Sequence, residues 1–297
     1  MTTEVTDLDN KAYTYDGSVI FHYTNLDGME SIIRNRELWA THIEDLADET
    51  EFYYGRDLTV STMQAASAAE DFAGNQGVIA KWAEATQELP NIGRLIIKMG
   101  YEPEEYDKLI DWHVVCFSHR EDALPLWRGF GNGCKGYSLG FRYLGTVYDF
   151  PGFELPLQRV EYDADRQHDQ ALEIIRSAIR QTSAPGSNAF SWTIPLGRAL
   201  YFKDPMFDSE AEWRHISIPK SPEAIRERSL VDCNRKIRYS LLPFEGNYEL
   251  TRIVCGPLAE HRADKPEGME YLLRLLSANG YDTSAISIKQ SQIRLWR

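Results

Sequence analysis

The stretch that decides how the fold is interpreted covers residues 116–141 and reads CFSHREDALPLWRGFGNGCKGYSLGF. An apolar run at residues 114–117 stops at Ser118, a polar turn follows, and aromatic residues then precede four glycines between Gly129 and Gly136. This order predicts a strand, a short helix and a second strand. Because glycine permits close backbone approach, the stretch forms either one wall of a ligand site or a glycine-rich connection between two core strands.

The composition is that of a globular protein with a substantial core. The chain has 297 residues, of which 43% are hydrophobic and 26% charged. We expect a single domain over residues 1–297. Residues 57–110 form a helical insertion within it, since residues 60–89 are alanine-rich with breaks at Gly74 and Gly77, and residues 90–110 also have a helical pattern.

The sequence predicts a cytoplasmic protein without a membrane partner. No apolar run approaches the roughly 18 residues of a spanning helix, and the first residues are polar and acidic rather than signal-like. The four cysteines, Cys116, Cys134, Cys233 and Cys255, are far apart in the sequence. This spacing favours buried thiols over a metal site or a disulfide framework, so no metal is expected.

The formal net charge of −13 disfavours a protein that grips an extended duplex through its phosphates. Basic residues are nevertheless concentrated at positions 226–238, namely Arg226, Arg228, Arg235, Lys236 and Arg238. They either face a polyanion or pair with the surplus carboxylates. The second interpretation is favoured, because charge runs usually lie on solvated faces.

The first predicted strand covers residues 19–23 and passes directly into a helix. Thr24 and Asn25 are suitable N-caps, with Asp27 three residues beyond Thr24. His22 therefore stands at a strand end beside a helix N-terminus, whose free N–H groups attract phosphate. A purely structural role for His22 is the alternative.

The segment Ser209-Glu210-Ala211-Glu212-Trp213-Arg214 carries two carboxylates two positions apart. Both point to one face if a strand begins at Glu210. Like charges so placed repel, and the pair needs a raised pKa or a positive partner, which makes it a candidate for acid–base or oxocarbenium chemistry. The alternative is a solvated strand start.

The remaining pattern predicts further strands and helices. Strands are expected at residues 38–41, 158–162, 236–242, 249–255, 285–288 and 293–296, and helices at 165–182 and 266–279. Residues 190–202 are ambiguous between helix and buried loop. The sequence contains no P-loop, dinucleotide-binding glycine motif, H-E-x-x-H or G-x-S-x-G.

Short motifs are spread over nearly the whole chain in a specific order. They are His22-Tyr23-Thr24 before a helix, Leu38-Trp39 leading to Asp48 and Glu51, Cys116-Phe117-Ser118 with Trp127, Phe130, Gly136 and Phe141, Glu210-x-Glu212-x-Arg214, and Ile253-x-x-Gly256 with Ser291. Together they resemble a largely bacterial family of domains of unknown function, number 2971. The chain departs from the family at Ala47-Asp48-Glu49, usually Asn-Asp-Pro, and at Phe130, usually Tyr.

More distantly, the order of a strand-end His, an aromatic-Ser strand and a strand-start Glu resembles the ADP-ribosyltransferase fold in its His, Tyr, Glu form. That resemblance implies an α+β fold in which a split pair of small mixed sheets is flanked by helices, with a helical insertion. It implies that NAD, as substrate, lies between the sheets. His22 would contact a ribose hydroxyl, the backbone near Tyr23 would hold the carboxamide, and Trp127 or Phe130 would stack on nicotinamide.

The same resemblance assigns the chemistry to the carboxylates. Glu212 would bind the ribose 2′-hydroxyl and stabilise the oxocarbenium ion, and Glu210 would orient or deprotonate the acceptor. Arg214 would pair with Glu212 or with a phosphate. The implied NAD-binding set is His22, Tyr23, Thr24, Phe117, Ser118, Trp127, Phe130 and Arg214, and the implied catalytic set is Glu212, His22 and Glu210.

The expected function is NAD-dependent ADP-ribosyl transfer to a macromolecule, as in a toxin or phage-defence effector. The acceptor is a protein or a nucleic acid, and an antitoxin or other subunit is a further expected partner. Two alternatives stay open at this point: a non-catalytic module that binds a nucleotide or a partner through the same cleft, and an NAD glycohydrolase with water as the acceptor.

Overall fold

The structure is a computed structural model that describes residues 15, 17–46, 50–87, 112–145, 157–183, 197–217, 219, 222–229 and 235–295. In these residues the fold is α+β, built on a mixed sheet with helices on both faces. The strands are β1 Ile20–Thr24, β2 Glu37–His42, β3 His113–Ser118, β4 Tyr137–Tyr143, β5 Gln158–Arg159, β6 Glu212–Ser217, β7 Arg226–Ser229, β8 Lys236–Pro243, β9 Tyr248–Cys255 and β10 Ser287–Gln290.

The α-helices are α1 Leu26–Asn35, α2 Thr50–Ala68, α3 Gln76–Gln87, α4 Leu124–Gly129, α5 Ala164–Thr182 and α6 Pro266–Ala278. Short 3-10 turns lie at Ile43–Asp45, Glu70–Phe72, Gly197–Tyr201, Pro205–Glu210 and Pro222–Ala224. Among the helices of the described ranges, none combines the length and the apolar character needed to cross a bilayer.

Strand β3 is the branch point of the sheet. β6 pairs with β3 along its whole length, from His113↔Ser217 to Ser118↔Glu212. β1 and β2 therefore share the other edge of β3, where β1 pairs only at Ser118 and β2 only at Val114 and His113. The strands β1 and β2 thus separate along the middle of β3, and the sheet continues as β4–β9–β10 on one branch and β8–β7 on the other.

The two faces of the sheet are covered by different helices. Val114 and Ile216 face a core formed with α2, α3 and α5. The neighbouring residues Val115 and Phe117 face a second core formed with α1 and α6, because successive side chains of a strand point to opposite faces. A third, smaller core contains Trp127 and Tyr23.

Most predicted elements are confirmed, and capping side chains explain where two of the helices begin. Asn25 caps α1 by accepting a hydrogen bond from the Gly28 N–H at 2.7 Å, and Asp163 caps α5 in the same way. Two helices do occupy the alanine-rich region, but α2 begins at Thr50 rather than near residue 60. Residue 57 therefore lies inside α2, and the predicted helical segment at 90–110 lies outside the described residues.

One predicted strand is shifted, one is not formed, and the condition set for the Glu-x-Glu segment is not met. The segment at 285–288 pairs as Ser287–Gln290, because its partners in β9 run from Arg252 to Cys255. Residues 293–295 form no strand. β6 begins at Glu212, and not at Glu210, because Glu210 ends a 3-10 turn and Ala211 adopts a left-handed conformation with φ 45°.

The ambiguous and cysteine-bearing regions are described only in part. Gly197–Tyr201 forms a 3-10 turn, whereas residues 190–196 lie outside the described ranges. Cys134 and Cys255 are buried free thiols and Cys116 is a partly exposed one. Cys233 and Asp48 also fall outside the described residues.

Candidate functional site

A cluster of charged side chains lies where β6 begins, beside the end of β3. We call it the charge cluster, and it consists of Glu51, Lys203, Glu210, Glu212 and Arg214. Ser118 pairs with Glu212 and Cys116 with Arg214 across the β3–β6 ladder. The cluster therefore lies on the sheet face that α2 covers, since directly paired residues share a face.

Lys203 connects the three carboxylates of the cluster. Its Nζ lies 2.6 Å from Glu210 Oε2, 2.8 Å from Glu51 Oε1 and 2.9 Å from Glu212 Oε2. Its side chain is 6% exposed. A lysine so deeply buried stays charged only when carboxylates compensate for its lost hydration.

Arg214 is the second cation and is fully buried. Its Nε donates to Glu212 Oε1 at 2.7 Å and its Nη2 donates to Glu212 Oε2 at 3.1 Å. The same guanidinium also donates to Glu51 and to the carbonyl oxygen of Leu200. Arg214 thus pairs with carboxylates, one of the two roles left open for it by the sequence.

The two carboxylates of the Glu-x-Glu segment titrate in opposite directions. Burial opposes ionisation of Glu212, but Arg214 and then Lys203 outweigh it and lower its pKa to about 2. Burial raises the pKa of Glu210 above its usual value, and Lys203 offsets this only in part. The cluster therefore holds one carboxylate fixed as an anion and a second whose proton affinity is increased.

The two carboxylates also differ in how far their side chains are exposed to solvent. The Glu210 side chain is 17% exposed and the Glu212 side chain 4%. Both oxygens of Glu212 accept hydrogen bonds within the cluster, whereas the described hydrogen bonds of Glu210 involve only Oε2. Glu210 is thus the carboxylate of the pair that can contact a ligand.

A sharp bend brings the two carboxylates to the same lysine. Ser118 Oγ donates to the Glu210 carbonyl oxygen, and the His119 N–H donates to the Ala211 carbonyl oxygen at 3.0 Å. Ala211 lies between Glu210 and Glu212, and its left-handed backbone conformation turns the chain from the 3-10 turn into β6. The expected convergence of Glu210 and Glu212 therefore occurs, but through this bend and Lys203 rather than through strand alternation.

The sequence patterns did not point to Lys203, and they indicated Glu51 only as part of a family motif. Arg214 and Glu51 are separated by 163 positions, so no short motif joins them. The available signal was a balance of charge: a buried Glu-x-Glu segment requires cations, and Arg214 alone cannot neutralise two carboxylates.

His22 contacts a different face of the sheet from the charge cluster. Its Nδ1 lies 3.0 Å from the Cys116 carbonyl oxygen and therefore donates to it, since a carbonyl only accepts. Its ring packs edge-on against Phe117, which belongs to the second core. Burial lowers the pKa of His22. The neutral imidazole thus donates a hydrogen bond to the Cys116 carbonyl oxygen at the place where β1 and β2 separate.

His22 and Glu212 are close in strand order but are not in contact. Phe21 pairs with Ser118, which pairs with Glu212, and two strand spacings correspond to about 10 Å. Over the ranges that the structure describes, no hydrogen bond joins His22 to Glu212. The structure brings together Glu210, Glu212 and Arg214, and leaves His22 on the neighbouring branch.

The predicted aromatic wall is divided between a buried and an exposed ring. Trp127 is fully buried, packs edge-on against Tyr23 at 4.7 Å and donates from Nε1 to Asp122. Phe130, just after α4, is 47% exposed. Trp127 therefore cannot stack on a ligand without unpacking the third core, whereas Phe130 can.

The other predicted ligand contacts are mostly buried. Tyr23, Phe117 and Ser118 lie in the interior, and the Tyr23 hydroxyl donates to the Arg120 carbonyl oxygen. Thr24 stays partly exposed at the end of β1. Cys116, beside the charge cluster, has a pKa raised by its burial and by Glu212, so it is not an activated nucleophile.

Comparison with known families identifies one stretch of the chain. Residues 126–215 match the family described as Protein of unknown function (DUF2971). This span contains the last four residues of α4 together with Lys203, Glu210, Glu212 and Arg214, and it is shorter than the nearly whole-chain resemblance predicted from the motifs. Comparisons with curated proteins and with solved structures found no match.

A groove elsewhere in the described residues has a volume of about 800 Å³ and is lined by residues of four regions, among them Arg36, Leu144, Phe244 and Tyr281. Of its lining residues, only Leu144 lies within the matched stretch. A much smaller cavity is lined by Phe52, Trp112 and Leu200. Neither His22 nor any member of the charge cluster lines these two cavities.

Proposed function

We propose that this protein is an NAD-dependent ADP-ribosyltransferase in which Glu210 is the catalytic carboxylate that contacts the substrate. The observation that carries the proposal is the charge cluster, which contains one more carboxylate than cations in a water-poor setting. Such a surplus stabilises positive charge that develops next to it, as on the ribose of an oxocarbenium-like transition state.

The roles of the two carboxylates follow from their environments. The C1′–N bond of NAD breaks, nicotinamide leaves with the bonding electron pair, and the acceptor nucleophile forms a bond to C1′. Glu210, with its raised pKa and its uncommitted oxygen, takes the proton of the acceptor. Glu212, held ionised by Arg214 and Lys203, fixes Lys203 and so positions Glu210.

The packing around Glu210 supports the same location for the substrate. Helix α4 contacts the turn Pro205–Glu210, and the exposed ring of Phe130 directly follows α4. An aromatic face and a carboxylate are thus available in neighbouring segments, which suits the nicotinamide ring and its ribose. Of the two rings expected to stack on nicotinamide, Trp127 and Phe130, this arrangement favours Phe130.

Nicotinamide release from NAD tests the chemistry. We expect purified protein to release nicotinamide in the presence of cell lysate, and Glu210→Gln to lower the rate by about a hundredfold or more because the proton acceptor is lost. Glu173→Gln is the matched control, since Glu173 lies on the exposed face of α5, paired with Arg180. The proposal would be wrong if the wild-type protein released no nicotinamide, or if Glu210→Gln released it at the wild-type rate.

The fate of labelled NAD identifies the acceptor. Adenine-labelled NAD is incubated with protein and lysate, and label is sought in the protein, RNA and DNA fractions. Label in one fraction indicates a transferase that modifies that macromolecule, which is the result expected of a cytoplasmic toxin or phage-defence effector controlled by an antitoxin or other subunit. Label found only as free ADP-ribose indicates a glycohydrolase instead.

A second candidate function is a non-catalytic module that binds NAD or a related nucleotide. The burial of Glu212 and the pairing of both its oxygens favour it, because that carboxylate is not free to contact a ribose. Calorimetry that detects NAD binding to protein without nicotinamide release would select this function.

A further inference from the structure

The outer face of β2, β8 and β7 carries aromatic and basic side chains at its surface. We call it the aromatic–arginine face, and it is formed by Trp39, Tyr239, Arg226 and Arg228. Trp39 is 38% exposed and stacks on Tyr239, with ring centroids 4.5 Å apart and planes inclined by 26°. The guanidinium of Arg228 lies 5.1 Å from the Trp39 ring centroid.

Strand register places these four residues on one side. Arg226 pairs with Tyr239, Arg228 with Ile237 and Trp39 with Leu241. Leu38, Ala40 and Leu242, which alternate with them, point to the second core. The aromatic–arginine face is therefore the solvent side of a branch whose other side is packed.

The charges of the basic segment divide between the two sides. Arg238 pairs with Glu44 and Asp45, and Lys236 pairs with Glu227. Arg226 and Arg228 are exposed, and within the described residues neither has a carboxylate partner. The surplus carboxylates thus neutralise one side of the segment, while the two arginines beside the rings keep their positive charge.

We propose that the aromatic–arginine face binds single-stranded nucleic acid. Unpaired bases stack on Trp39 and Tyr239, and Arg226 and Arg228 contact the flanking phosphates. Two unpaired arginines on a chain of net charge −13 do not suffice to hold an extended duplex, whose affinity rests on many phosphate contacts. The binding needs no NAD chemistry, so it stands or falls independently of the proposed transferase activity.

Fluorescence anisotropy with labelled oligonucleotides tests this surface. The probes are oligo-uridine and oligo-thymidine of about 12 nucleotides and a duplex of equal length, each measured between about 50 and 200 mM salt. We expect both single strands to bind more tightly than the duplex, and the comparison of the two shows whether RNA or DNA is preferred.

Variants assign the binding to the proposed residues. Trp39→Ala should weaken single-strand binding about 5- to 100-fold through lost stacking, while Trp39→Phe should keep most of it. The double variant Arg226→Ala/Arg228→Ala should reduce the steepness of the plot of log affinity against log salt concentration by about 1.4. Arg176→Ala with Arg180→Ala, two exposed arginines of α5, is the matched control and should change neither quantity.

Four results would overturn the proposal. They are no single-strand binding by the wild-type protein at low salt, duplex binding as tight as single-strand binding, unchanged affinity in Trp39→Ala, and equal weakening in the α5 control. The first result would leave a protein partner as the occupant of this face. Circular dichroism of each variant confirms that the fold is retained.

Discussion

At the scale of single residues, Lys203 determines whether the charge cluster is stable. Three carboxylates lie within 2.9 Å of its Nζ, and it shares Glu51 and Glu212 with Arg214. A buried ion pair adds little net stability while both partners are present, but loss of one partner leaves an uncompensated charge in the interior. Lys203 therefore matters more for what its absence would expose than for the energy of any one pair.

Replacing Lys203 with Met should lower the free energy of unfolding by about 3–5 kcal/mol at neutral pH, since Glu210 then loses its cation and Arg214 alone is left to pair with Glu51 and Glu212. Urea unfolding followed by circular dichroism measures the change. Lys236→Met, which breaks the exposed pair with Glu227, is the control and should leave the midpoint unchanged. Equal midpoints for Lys203→Met and wild type would contradict the role given to Lys203.

At the scale of elements, residues 116–141 form a tightly packed connection between β3 and β4 that leaves the ring of Phe130 exposed. α4 places Trp127 inside the third core, and Gly136 then passes close to the end of β1. A Cβ on Gly136 would lie 2.1 Å from the Thr24 carbonyl oxygen. Of the two interpretations left open by the sequence, the packing of this segment supports the core connection, with Phe130 as its exposed aromatic.

Gly136→Ala should reduce the free energy of unfolding by about 1–3 kcal/mol, because backbone atoms and not a movable side chain obstruct the methyl group. Gly129→Ala is the matched control within the same segment, since a Cβ there meets nothing within 4 Å. Thermal unfolding of both variants measures the difference. Equal destabilisation of the two would refute the close approach of Gly136 to β1.

At the scale of the whole molecule, the buried His215 and the partly buried His22 make the fold sensitive to mild acid. Burial lowers the pKa of His215 to about 4, and its ring lies against Tyr143 and Tyr248. Burial lowers the pKa of His22 as well. Between the usual histidine pKa of about 6.5 and these lowered values, the unfolded chain binds protons that the folded chain does not, so stability falls as the pH falls.

His215→Asn should flatten the pH dependence of stability between about pH 6.5 and 4, where the wild-type protein loses about 3 kcal/mol through His215. Below about pH 4 the folded state also protonates His215, so this histidine causes no further loss of stability. Carboxylates with a lowered pKa, such as Glu212, then become protonated as the pH falls towards 2, and their contribution to the free energy of unfolding is lost. Urea midpoints at a series of pH values measure the slope.

The control for this slope is His168→Asn, an exposed histidine of α5. It should leave the dependence on pH as it is in the wild-type protein. A wild-type slope in His215→Asn would show that His215 is not the buried neutral group described here.

The sequence by itself determined most of the elements and, within the regular strands and helices, which side chains share a face. The apolar stripe of α1, the Asn25 cap and the alternation in β3 are local patterns, and local patterns fix local structure. The same patterns located the Glu-x-Glu segment, the basic residues around β7 and β8, and the family motifs of residues 126–215.

Only the tertiary structure decided which of these groups meet. Glu51, Lys203 and Arg214 come together because α2 and the segment after Gly197–Tyr201 pack on one face of the β3–β6 pair, and that packing depends on strand order and long-range burial. It also gave Glu210 and Glu212 different exposures, since the bend at Ala211 leaves the first partly exposed and the second buried. The periodicity of apolar residues indicates which side chains are buried, but the tertiary packing determines which group pairs with a buried charge.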